Sequence, residues 1–261
     1  MIIFFAGLIL IEISMVALWR TAYRLQKTSI VDIFWSLLVW QASTFYMVLS
    51  GRVLALNFLY YAVVTLWSVR LAAHIYWRGR HHGEDARYRA LREKWGEDEK
   101  NRMLRFYLQQ GLAAWIFSLP FFIVFNHSRN QFGVWDITGL LIWAAAFAGE
   151  TLSDWQLEQF KSKTENQGKV CRMGFWRYSR HPNYFFEWLN WVAIAWLALP
   201  YAWGWTALIC PALMYFFLNK VSGVPLAEKQ ALKTRSVEYA EYQRITSSFF
   251  PLPVKHSELL K

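Results

Sequence analysis

Seven stretches of the chain are almost continuously apolar: residues 2–18, 30–49, 56–77, 106–125, 134–152, 184–203 and 204–218. Each approaches the roughly 20 residues that a helix needs to cross a bilayer. The pattern predicts an all-α integral membrane protein with seven transmembrane helices, the last one short and interrupted by Pro211. Two connections carry periodic patterns of their own. Residues 83–96 read as an amphipathic helix between glycines, with Tyr88, Leu91 and Trp95 on one side. A helix lying on the membrane interface is the preferred reading of it. Residues 227–244 read as a soluble helix in the tail, with Tyr239 and Tyr242 close together.

Charge sets the orientation. Lys and Arg outnumber Asp and Glu by 28 to 18, giving a net +10, but the cations alternate by loop. The connection 20–29 holds three, 78–105 nine, 153–183 six and the tail from Lys220 seven, whereas the other loops hold only Arg52 and Arg129. Such an alternation predicts an N-terminus outside and a C-terminus in the cytoplasm. The basic excess is then topological, with some attraction to membrane lipids, and no nucleic acid partner is expected. The first segment has no basic lead and contains Glu12, so it reads as a retained helix rather than a cleaved signal. Cys171 and Cys210 form neither a disulfide framework nor a metal-type spacing.

Ionisable groups inside apolar segments cost about 2.5–3.5 kcal/mol each on insertion scales, so each is a candidate for function. Arg70, His74 and Arg78 share a face of the third helix, and Glu12 is a possible partner for Arg70. Asp32 lies near the start of the second helix, where a first-turn carboxylate is the structural alternative. Glu150, Asp154, Glu158 and Lys161 form a stripe running out of the fifth helix. Asn183, Glu187 and Asn190 step by four and three along the sixth, behind Arg180 and His181. Cations at 161, 163, 169, 172, 177 and 180 suit phosphates, the carboxylates and amides suit hydroxyls and a carboxamide, and aromatic rings suit flat ligands. No Gly-x-Gly-x-x-Gly motif accompanies them, and on spacing alone the ligand stays open.

The run Gly174-Phe-Trp-Arg-Tyr-Ser-Arg-His-Pro-Asn-Tyr-Phe-Phe-Glu-Trp188 resembles the signature of the steroid 5α-reductase and sterol-reductase superfamily. The bacterial branch, a domain family of formerly unknown function, is a closer match. Its pattern is met at Ser29-Ile-Val-Asp-Ile-Phe-Trp35, Trp67-Ser-Val-Arg-Leu71, Gly83-Glu-Asp-Ala-Arg-Tyr88, Asn166-Gln-Gly-Lys-Val-Cys-Arg172, Lys220-Val-Ser-Gly-Val-Pro-Leu226 and Glu241-Tyr-Gln-Arg244.

The resemblance implies a single multi-pass membrane reductase domain over 1–261, with its cofactor half at 106–261. It implies hydride transfer from NADPH to the activated C=C bond of an apolar enone such as a 3-oxo-Δ4 steroid. Asp154, Arg172, Asn183, Glu187 and Tyr242 carry over as cofactor contacts. Lys161, Tyr178, Arg180, His181 and Tyr239 complete the expected set. The steroid reductases' early Gln-Glu pair is replaced here by a stretch with Asp32, Trp35 and Ser36, and Ile75 follows His74. The expected proton donors are Asp32, His74 and Tyr76. A steroid-like or lipid substrate is expected from the bilayer, in a pocket among helices one to three. The expected enzyme is a monomer in a bacterial inner membrane, open to the cytoplasm. Isoprenylcysteine carboxyl methyltransferases, which use S-adenosylmethionine, share Arg-His-Pro-x-Tyr. Asn183, Glu187 and Phe186 favour the reductases. A transporter is a third reading, against which no paired broken helices occur in two halves.

Overall fold

The computed structural model describes residues 1–52, 54–80, 86–127, 129 and 131–255. Among them the chain is helical, and its one β-type pairing is an isolated bridge between Ser179 and Ser247. Two compact units divide it: Met1–Phe132 with Ala198–Gly204, and Gly133–Leu197 with Trp205–Lys261.

The first unit contains α1 (Ile2–Leu25), α2 (Ile30–Ser50), α3 (Ala55–Gly79), α4 (Ala86–Trp95), α5 (Glu99–Phe117) and α6 (Leu119–Asn126). Helix α2 is central, packing on α1, α3, α5 and α6. Its seam with α3 is a ladder of small and hydroxyl side chains. Ser36 Oγ donates to the Ser68 carbonyl at 3.1 Å and Ser68 Oγ returns a bond to the Ser36 carbonyl at 3.0 Å. Trp40 Nε1 donates to Thr65 Oγ1, and Thr44 and Tyr61 share a bond, both at 3.0 Å. Steps of four along α2 meet steps of three and four down α3, so the two helices run antiparallel. In an apolar surrounding, small residues let backbones approach and hydroxyls join them.

The expected helix over 106–125 is split. Helix α5 begins earlier, at Glu99, and ends at Phe117; α6 restarts with Pro120 in its first turn. Proline lacks an N–H and is tolerated there. Buried Ser118 occupies the joint, donating to the Trp115 carbonyl and bonding Tyr46 Oη. Glu12 does not pair with Arg70. Its Oε1 packs against Gly111 of α5, 2.7 Å from where a Cβ there would be.

The second unit contains α7 (Val134–Ser162), α8 (Pro182–Ala198), α9 (Ile209–Phe216), α10 (Val224–Thr234) and α11 (Ser236–Ile245). The expected tail helix over 227–244 is two helices, because Arg235 leaves helical backbone at φ −146° and ψ 50°. Helices α7 and α8 are antiparallel. Trp196 donates to Thr138, Leu197 touches Gly139, Phe186 touches Gly149, and Asn183 donates to Asp154. As one number rises the other falls.

Among the described residues, five helical stretches are long and apolar enough to cross a membrane: Ile2–Leu25, Ile30–Ser50, Ala55–Gly79, Tyr88–Asn126 and Gly204–Thr234. Two of the seven expected spans do not join them. Helix α7 carries Asp136 and Glu150 within its apolar length, and α8 has only 17 residues.

Candidate functional site

The residues expected to touch a cofactor all belong to the second unit. The α7 face toward α8 is built from Gly139, Ala146, Gly149, Glu150, Ser153 and Asp154, all buried. Glycine at 149 allows contact with the Phe186 ring, which a Cβ would meet at 2.4 Å. On this close seam Asn183 Nδ2 donates to Asp154 Oδ1 at 3.0 Å, joining two of the expected contacts. Glu187 is buried one turn further along α8, where its Oε1 accepts from Trp191 Nε1 at 2.9 Å. Beyond it Asn190 is 0% exposed, and neither its Nδ2 nor its Oδ1 has a hydrogen-bond partner. Leaving such a group unmade costs about 1–3 kcal/mol. The seam therefore concentrates hydrogen-bonding capacity in an apolar setting.

The mouth of α8 is organised by the residues before it. Gly174 has φ +56°, a left-handed conformation that favours glycine, and the Gln156 amide occupies the place of its missing Cβ. Gln156 Oε1 accepts from the Phe175 N–H at 3.0 Å, and Trp176 Nε1 donates to the Ser153 carbonyl at 2.9 Å. These bonds pin the turn to α7. The tail then pins it from the other side. Arg180 N–H donates to the Ser247 carbonyl, and the Leu252 N–H to that of Tyr178. Tyr242, buried on α11, donates to the carbonyls of Trp176 and Ser179.

The expected phosphate ligands divide into two groups. Arg180 is committed within the fold. Its Nε donates to Glu228 Oε1 at 2.7 Å, and its Nη1 to the carbonyls of Gln243 at 3.0 Å and Thr246 at 2.5 Å. Gln243 Nε2 donates to the other Glu228 oxygen at 2.7 Å. Arg172 bridges Glu241 and the Glu238 carbonyl beneath the Tyr242 ring. Arg180 thus ties the Gly174–Trp188 run to α10 and the end of α11, and Arg172 ties the segment before it to α11. By contrast, Lys161, Lys163, Lys169, Arg177 and Tyr178 lie exposed. Lys161 makes only a surface pair with Glu158.

His181 is buried, stacked in parallel on Tyr184 at 5.4 Å, with Nε2 3.3 Å from Glu228 Oε1. Burial lowers its pKa below the ordinary 6.5, against the opposing pull of the Glu228 bond and charge. The sign follows from proton counting. The unfolded chain binds this proton more readily than the folded one, so stability falls as pH drops below about 6.5. Thermal unfolding in detergent should show that decline, and His181→Phe should flatten it. Tyr239 is pushed up to about 12, first by burial, and is neutral at physiological pH.

The three expected proton donors belong to the first unit. Asp32, half-buried in the first turn of α2, accepts a 2.6 Å bond from the Tyr88 hydroxyl. Tyr88 lies on α4 and is itself buried. His74 is half-buried on α3, while Tyr76 is 57% exposed. The preceding residues of the expected amphipathic helix, 83–85, lie outside the described residues. The sequence pattern sets Tyr88 on an interfacial face; its bond to Asp32 joins positions 56 residues apart, a pairing that helical periodicity does not reveal. Glu228, Gln243 and Gln156 are not among the expected site residues, although the Glu241–Arg244 pattern contains Gln243 and the Lys220–Leu226 pattern ends two residues before Glu228.

A family model described as a protein of unknown function, DUF1295, matches residues 18–246. An uncharacterized protein of Schizosaccharomyces pombe is 26% identical over 281 residues, spanning 95% of this chain and 79% of its own length. No solved structure matches the chain. The family match runs from within α1 to the end of α11 and includes both Asp32–Tyr88 and the α7–α8 seam, and the chain belongs to the DUF1295 family.

Proposed function

We propose that this protein is an NADPH-dependent membrane reductase of activated C=C bonds, with an apolar enone such as a 3-oxo-Δ4 steroid as substrate. The observation that carries the reading is the α7–α8 seam, where buried Asp154 and Glu187 and half-buried Asn183 lie on facing surfaces. Two further facts support it. The DUF1295 family is associated with the steroid 5α-reductase superfamily. The Phe186 ring fills the surface at Gly149, a packing that disfavours the open, glycine-lined entrance of a sulfonium-binding methyltransferase. The proposed topology keeps seven spans, with α7 and α8 counted as membrane helices shielded by their shared polar face. It places the basic loops and tail on the cytoplasmic side of a bacterial inner membrane.

The residues present fit a nicotinamide dinucleotide. Buried carboxylates at 154 and 187 accept from ribose hydroxyls, while exposed Lys161, Lys163 and Arg177 supply charge for phosphates. Bound NADPH would supply the hydride. The protein's part is to exclude water, orient the ring and manage the proton. As the β carbon of an enone takes a hydride, negative charge develops on its carbonyl oxygen. The Tyr88 hydroxyl rests on Asp32 at 2.6 Å in a largely buried setting; to serve as donor it would turn its one proton from that carboxylate to the enone oxygen, where a donor shielded from water stabilises developing charge more than it would in water. His74, half-buried on α3, is the second candidate, and Tyr76, on the outer surface of the same helix, the third.

Asn183→Ala and Glu187→Ala should each weaken NADPH binding by about tenfold or more, the worth of one hydrogen bond to a charged or buried group. Titration followed by energy transfer from tryptophan to the reduced ring measures this. Consumption of NADPH on addition of a 3-oxo-Δ4 steroid tests the reaction; no turnover with any steroid would reopen the substrate class.

A further inference from the structure

We infer that the Asn190 side-chain amide seats the carboxamide of the nicotinamide ring; this rests on the reductase reading and names the residue that would orient the reacting end. Asn190 follows Asn183 by seven residues, nearly two full turns, so the two side chains share a face of α8. Asn183 reaches Asp154, and that face therefore looks onto α7. By the antiparallel register, Asn190 stands level with Ala146, which offers only a methyl group. Nearby Glu187 already has Oε1 engaged by Trp191. The result is a fully buried amide whose donor and acceptor both lack partners. Native folds keep few such groups.

A ligand that satisfies both ends must offer an acceptor and a donor side by side. Phosphates and carboxylates offer acceptors only, whereas a primary carboxamide matches the amide atom for atom. Its neighbours on α8, Trp191, Ala193 and Ile194, are buried and mostly apolar. A ring that must deliver hydride away from water suits that environment better than phosphates, for which the exposed cations lie before α8. Adenine also has a donor–acceptor edge, and the test separates the two.

The experiment measures dissociation constants of NADP+, its 3-acetylpyridine analogue and its 1,N6-ethenoadenine analogue with detergent-purified wild type and Asn190→Leu. The acetylpyridine analogue lacks the carboxamide N–H donors; the etheno analogue blocks the adenine edge. Wild type should bind NADP+ about tenfold tighter than the acetylpyridine analogue, and Asn190→Leu should bind them equally. Without ligand the leucine variant should be at least as thermally stable as wild type, because it removes two unpaired polar atoms. Should it fail to fold, Asn190→Ala serves for the binding comparison. An unchanged acetylpyridine preference in the variant overturns the inference. So does loss of discrimination against the etheno analogue alone, which would assign the amide to adenine. A leucine variant that folds but is less stable than wild type without ligand would reveal an internal partner and overturn it too. Failure of wild type to bind any nicotinamide dinucleotide would instead bring down the reductase reading itself.

Discussion

Arg180→Ala should destabilise the second unit by about 3–5 kcal/mol, the usual effect of removing one partner from a largely buried ion pair. The Arg180 side chain is 10% exposed and its partner Glu228 17%. Deleting the guanidinium leaves Glu228 with His181 and Gln243, and leaves the carbonyls of Gln243 and Thr246 without their common donor. Three bonds from one side chain join the Gly174–Trp188 run to α10 and to the end of α11. Arg180→Lys should recover only part of the loss. An ammonium can satisfy Glu228 as a point charge, but it lacks the planar fork that reaches two carbonyls at once. Thermal unfolding of the two variants in one detergent separates these outcomes. A wild-type midpoint for Arg180→Ala would mean that the latch contributes little.

Asp32→Asn should reduce turnover by about 10²–10⁴-fold, the range for losing a positioned proton-handling group. Cofactor affinity should stay near wild type, because the expected cofactor contacts lie on other helices. Tyr88→Phe removes the hydroxyl that bonds Asp32 and should produce a loss of similar order. The pair acts as a unit, so the double variant should be scarcely slower than either single one. Single-turnover reduction of a 3-oxo-Δ4 steroid, with binding measured alongside, reads both quantities. If Tyr88→Phe turns over normally while Asp32→Asn does not, the tyrosine is a structural support for α4. If the His74→Ala variant alone is inactive, the donor is on α3.

Much of this architecture is legible along the chain, for a physical reason. A bilayer demands long apolar runs with internally satisfied backbones, and α1, α2 and α3 coincide closely with the first three runs. The joint at Ser118–Pro120 is marked only by one proline, and an uninterrupted hydrophobic pattern conceals it. The polar stripes on α7 and α8 are visible as steps of three and four. Those steps bring Asn183 and Glu187 to one face, and the structure adds that Asn183 meets Asp154. Long-range partners leave no such trace. Arg180 and Glu228 are 48 residues apart, Tyr88 and Asp32 56. An arginine at a helix entrance suits a phosphate or a glutamate equally well, because both present acceptor oxygens to the same fork. For Arg172 and Arg180 the fold shows carboxylates and carbonyls in that place. The exposed lysines at 161 and 163 retain the phosphate role in the proposal.

The central claim is that a reduced nicotinamide dinucleotide is the ligand of the α7–α8 unit. It is tested most directly by the thermal unfolding midpoint of the intact protein in mild detergent, measured with NADPH, NADH or S-adenosylmethionine. A ligand that binds only the folded state at a hundred times its dissociation constant adds about 2.7 kcal/mol. NADPH should therefore raise the midpoint by several degrees, and S-adenosylmethionine should leave it unmoved. Stabilisation by S-adenosylmethionine alone would contradict the account.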